Sequence, residues 1–69
     1  MSAVRVHVNG EVTEVPAGTT LAAVVATVCD SERGVAVAVG RAVVPRSMWS
    51  STELRDGDRV EIVTAAAGG

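Results

Sequence analysis

Thr19-Thr20-Leu21-Ala22-Ala23-Val24-Val25-Ala26-Thr27-Val28 is the segment from which the architecture follows. Taken residue by residue it is ambiguous, because Val and Thr lose side-chain freedom in a helix and favour strands. Its periodicity selects helix. Leu21, Val24, Val25 and Val28 recur at i, i+3, i+4 and i+7. At 3.6 residues per turn they form one stripe about 100° wide. Ala23, Ala26 and Thr27 fall on the opposite face. Thr19 or Thr20 can accept a hydrogen bond from the free N–H groups of the first turn and so cap the helix. Residues 30–34 end it, with Gly34 suited to a turn.

N-terminal to this helix, Val4, Val6 and Val8 alternate with Arg5, His7 and Asn9, the period-2 pattern of a half-buried strand. Asn9-Gly10 follows, a strong hairpin signal, since both turn positions must tolerate positive φ. Residues 11–15 read as the returning strand, ended by Pro16 and Gly18. C-terminal to the helix, residues 35–39 are a continuous apolar run that suits a strand covered on both faces. Gly40-Arg41 is a turn into a short strand over 42–44, where Pro45 interrupts pairing. Residues 46–52 read as polar and irregular around Trp49. Leu54 is a core plug before an Asp56-Gly57 turn, and residues 59–64 form the last strand with Val60 and Ile62 on one face. Ala65, Ala66, Ala67, Gly68 and Gly69 make a small-residue tail with nothing left to pack.

The resulting order is β-β-α-β-β-β. A sheet wrapped over a single helix, with the first strand beside the fifth, is the natural way to bury the stripe. The expectation is an α+β chain of β-grasp, ubiquitin-like architecture: a mixed five-stranded sheet on one helix over residues 1–64, with a flexible tail at 65–69.

Composition narrows the function. Sixty-nine residues leave little room for an enclosed active site with a supporting shell. Hydrophobic residues make up 48%, but in runs far below the roughly 18 residues of a membrane span. No basic start and apolar block mark a signal peptide, so a soluble, cytoplasmic protein is expected. A single Cys29 allows no internal disulfide, and one Cys with one His gives no metal-ligand spacing. The net charge of −2 argues against nucleic acid as partner. All six basic residues are Arg, so the chain offers no side-chain amine for acylation.

Several segments together resemble the ThiS family of sulfur carriers: Val6-His7-Val8-Asn9-Gly10, Gly18-Thr19-Thr20-Leu21, Gly34-Val35-Ala36-Val37-Ala38-Val39, Val43-Val44-Pro45-Arg46 with Trp49, Leu54 with Asp56-Gly57-Asp58, Val60-Glu61-Ile62-Val63, and Gly68-Gly69. The likeness runs over essentially the whole chain. Two positions depart from it: Gly40, where such chains usually carry Asn, and Ala67, where a larger residue such as Gln often precedes the di-glycine. The resemblance implies a carrier protein that is not itself an enzyme, holds no metal and binds no cofactor. A ThiF-like adenylyltransferase would use ATP to activate the Gly69 carboxylate. A sulfur donor, supplied by a candidate sulfurtransferase, would convert it to a thiocarboxylate. A ThiG-like thiazole synthase would take the sulfur for thiamine biosynthesis. Ala67, Gly68 and Gly69 would then be the tail that enters the partners' sites, and glycine suits a narrow channel because it lacks Cβ. Carriers for molybdopterin, cysteine or tRNA thiolation share the fold and the di-glycine end. A β-grasp interaction module with an inert tail is the reading from a different class.

The remaining residues carry weaker signals. Arg46 and Arg59 are candidate partner contacts, against the blander reading of solvated arginines. Trp49 reads first as a packing residue in a core without Phe or Tyr, and second as an interface contact. Cys29, on the flank of the stripe, reads as a small buried hydrophobe. Asp56-Gly57-Asp58 reads as a turn rather than a metal fragment.

Overall fold

The computed structural model describes residues 2–29 and 33–64. The elements are β1 (Ala3–Val8), β2 (Glu11–Pro16), α1 (Leu21–Val28), β3 (Val35–Val39), β4 (Ala42–Val44), a 3-10 helix (Arg46–Ser51) and β5 (Arg59–Thr64). The sheet order is β2-β1-β5-β3-β4. β1 and β2 pair antiparallel through the hairpin, in which Asn9 and Gly10 take φ of 51° and 87°. β5 lies parallel to β1 and antiparallel to β3. This is the mixed five-stranded β-grasp sheet that the alternation of Val4, Val6 and Val8 and the stripe of α1 require.

The cap on α1 is Thr20, whose Oγ1 accepts from the Ala23 N–H at 3.2 Å. Leu21, Val24 and Val25 are buried against Val6, Val37, Val60 and Ile62. No polar or charged side chain is buried among the described residues. The sheet and one helix alone do not close this core. The 3-10 helix does, inserting Trp49 beneath α1, while Leu54 plugs the adjoining space. Two backbone bonds fasten this crossing, Leu21 N–H to the Thr52 carbonyl at 2.8 Å and Leu54 N–H to the Thr19 carbonyl at 2.9 Å.

Four details correct the sequence reading. Residues 46–51 are helical, not irregular. The helix α1 stops at Val28, because Cys29 is already extended while its N–H still closes on the Val25 carbonyl. Val28 therefore sits at a fraying end and is 51% exposed, bordering a shallow groove against β2 rather than the core. β3 is covered on one face only: Val37 is buried, whereas Ala36 is exposed. Val35, Val37 and Val39 point toward α1, and the small Ala36 and Ala38 point outward. Cys29 is half-buried against the core with a free thiol.

Candidate functional site: the root of the tail and the outer sheet face

β5 occupies the middle of the sheet, and its end carries residues 65–69. Val60 and Ile62 face the core, so alternation places Arg59, Glu61 and Val63 on the outer face. Thr64, the last strand residue, lies opposite Val35 at the start of β3. The expected tail residues Ala67, Gly68 and Gly69 lie outside the described residues.

The outer face next to this exit is apolar. Val63 stands opposite Ala36, and Val43 stands opposite Ala38, which in turn faces Glu61. Val63 and Val43 are 63% and 75% exposed. Scattered exposed valines are ordinary, but a contiguous row across β4, β3 and β5 is the form that protein-binding surfaces take. Beside the row, His7, Arg41, Arg59 and Glu61 line a shallow hollow of about 520 Å³. Arg59, flagged in the sequence, is thus exposed on the same face as the apolar row, and it pairs across the sheet with His7.

The other two flagged side chains are not brought to this face by the sheet. Arg46 is exposed and opens the 3-10 helix beyond the edge strand β4. Trp49 is 2% exposed, and its Nε1–H donates to the Val44 carbonyl at 2.8 Å. It has no ring surface left for a partner, so the interface reading gives way to packing. Asp56 and Asp58 serve the turn: Asp58 Oδ2 accepts from the Arg55 N–H at 2.8 Å, and Asp56 Oδ1 accepts from the Arg5 N–H at 2.8 Å. Among the described residues, no group of His, Cys, Asp and Glu is placed to hold a metal ion. No helix of the described residues is long and apolar enough to cross a membrane.

Sequence reasoning missed the outer row and the part played by Asn9. The row had a signal: the Val-Ala-Val-Ala-Val alternation of residues 35–39 is a size alternation, with the small residues outward. In the sequence Asn9 reads as a turn former only. Its Oδ1 also accepts from the Ile62 N–H at 2.8 Å, and its Nδ2 donates to the Ile62 carbonyl at 3.3 Å.

The model of the ThiS family matches residues 4–69 of the sequence. The chain belongs to the ThiS family. Among solved structures, this ThiS-family chain is similar to the thiamine biosynthesis protein ThiS from Geobacter metallireducens. The two superpose with a TM-score of 0.76 at 25% sequence identity, over 96% of this chain and 100% of the other. No curated protein matches the chain. One departure from the ThiS pattern now has a physical reading. Gly40 has φ of 64°, the left-handed conformation in which Asn is the next most tolerated residue, so Gly and Asn exchange there without altering the turn.

Proposed function

We propose that this ThiS-family chain carries sulfur for thiamine biosynthesis on the carboxylate of Gly69, with residues 65–69 acting as the tail that enters its partners. It is a carrier and not a catalyst; ATP and the sulfur donor belong to the activating partner. The observation that carries this reading is the family match running through residue 69, on a fold whose central strand β5 ends at Thr64 beside an exposed apolar face.

The chemistry follows from the weakness of a carboxylate as an electrophile. A ThiF-like adenylyltransferase brings the Gly69 carboxylate to the α-phosphorus of ATP, an acyl–O–P bond forms and pyrophosphate leaves. Hydrosulfide from the sulfur donor attacks the acyl carbon, a C–S bond forms and AMP leaves. The resulting thiocarboxylate gives its sulfur to a thiazole synthase, the acyl C–S bond breaking as the acyl carbon takes an oxygen, and returns as carboxylate. Five residues beyond Thr64 extend about 17 Å at roughly 3.4 Å per residue, long enough for the end to enter a cleft while the β-grasp body stays outside. Fixing them costs on the order of 1–2 kcal/mol per residue. The apolar row starting at Val63 is placed to offset that cost by docking on the activating enzyme, with Arg59 on its border.

The reading is tested by intact mass. With a ThiF-like adenylyltransferase, ATP and a sulfur donor, the chain should gain the oxygen-to-sulfur difference, and thiazole synthase should consume the product. No gain with an active enzyme would leave the inert interaction module as the better account. A gain that thiazole synthase cannot use would point to another thiolation pathway.

The docking face has its own expected result. Val63→Asp, at a 63% exposed position, should leave the melting temperature nearly unchanged. It should raise the KM of the activating enzyme for the carrier by roughly tenfold or more, since it removes a valine's burial of about 1.5 kcal/mol and adds a charge to be desolvated. An unaltered KM would remove the outer row from the docking surface.

A further inference from the structure

We propose that Asn9 is a positioning residue for the tail: its side-chain amide extends the β1–β5 ladder past the point where β1 turns away, and so holds the root of the tail on its second flank. This rests on the carrier reading for its functional consequence, though the clamp itself is a property of the free chain.

The bonds along the β1–β5 seam advance in steps of two. The His7 N–H donates to the Asp58 carbonyl at 2.8 Å, and the Asn9 N–H donates to the Val60 carbonyl at 2.9 Å. In a parallel ladder the next donor to the Ile62 carbonyl would be the N–H of residue 11. That residue is unavailable to the seam, because the hairpin has reversed the chain and Glu11 begins β2. The Asn9 amide takes over both roles of a peptide group. Nδ2 supplies the missing donor to the Ile62 carbonyl, and Oδ1 supplies the missing acceptor for the Ile62 N–H. A primary amide is the side-chain group that can do both at once; a carboxylate only accepts.

The turn by itself does not call for this residue. Asn9 has φ of 51°, a conformation that Gly adopts at lower cost. What Asn adds over Gly is the amide. Without it, β5 beyond Val60 would be paired on the β3 side alone, through Glu61 opposite Ala38 and Val63 opposite Ala36. A strand end held on one side opens readily. The freed segment is the one to which residues 65–69 are joined. A misplacement of about 1 Å at a reacting atom can cost on the order of a hundredfold in rate.

Three measurements test it. In the wild-type chain, a long-range NMR experiment should detect scalar coupling across the hydrogen bond between the Ile62 amide nitrogen and Asn9 Cγ; absence of the coupling overturns the clamp without any variant. In Asn9→Gly, amide exchange at Ile62 should accelerate by on the order of tenfold while Val37 exchange reports an intact core; in Asn9→Asp, whose carboxylate still accepts from the Ile62 N–H but offers its carbonyl no donor, the acceleration should be smaller. Unchanged Ile62 exchange in Asn9→Gly overturns the proposal. With the activating enzyme, both variants should keep the KM within about twofold, because the docking face is untouched, and lose roughly tenfold or more in kcat. Asn9→Gly with a wild-type kcat would reduce Asn9 to a turn former. If the wild-type chain itself accepts no sulfur, the carrier reading fails while the coupling and exchange results still stand on their own.

Discussion

Removal of Gly69 should abolish sulfur loading while leaving the folded body unchanged. The truncated chain still ends in a glycine carboxylate, Gly68, so the functional group survives and its position alone is altered. One residue fewer draws the end back by about 3.4 Å. Acyl transfer to a nucleotide requires the attacking oxygen within near-attack distance of phosphorus, and a 1 Å error there already costs about a hundredfold. A shortfall of one residue should therefore cost well over two orders of magnitude in turnover with ATP, read as loss of the oxygen-to-sulfur mass gain. The described core ends at Ile62, so thermal unfolding should be superimposable with that of the intact chain. Wild-type loading of the truncated chain would sink the proposed function. A lowered melting temperature would mean instead that the tail contributes to the fold.

Trp49→Ala should act in the opposite way, by removing the fold. Trp49 is the largest of the fully buried side chains and sits among valines and leucines with no other aromatic ring to fill its place. Trp-to-Ala changes in cores cost about 3–5 kcal/mol. A domain of this size has roughly 3–5 kcal/mol in all. The variant should be largely unfolded at 25 °C, with no cooperative melt in far-ultraviolet circular dichroism; fluorescence cannot serve, since the chain has one Trp and no Tyr. Trp49→Phe separates packing from the hydrogen bond. It keeps most of the bulk but removes the indole donor from the half-buried Val44 carbonyl, which keeps its ladder partner Val37, a loss of about 1 kcal/mol, and should still melt cooperatively at a lower temperature. A melt of Trp49→Ala within a few degrees of wild type would show that the 3-10 helix does not close the core.

How far each feature could be read in advance depended on the range of the interactions behind it. The hairpin, the Thr20 cap and the Leu21-Val24-Val25 stripe are set within a few residues, and they appear as expected. Val28 satisfied the same periodicity but is exposed, because α1 ends there. The polar run at 46–51 hid a helix whose purpose is to lower one tryptophan into the core. Its helicity comes from that tertiary anchor, not from propensity. The outer row of exposed Ala36, Val43 and Val63 with the half-buried Ala38 could not be assembled from the sequence, because its members sit on three strands brought together by pairing.

Periodicity, turn chemistry and capping are local. They alone determined the order of the strands and α1 and the sheet wrapped on a single helix; the family followed from the resemblance of the quoted segments. The tertiary structure decided what depends on contacts between distant residues. It placed Trp49 inside rather than at an interface, left one face of β3 bare, and gave the Asn9 amide to a strand 53 residues away. Hydrogen bonds and packing across such separations leave no periodic trace along the chain, since each depends on the register in which strands meet.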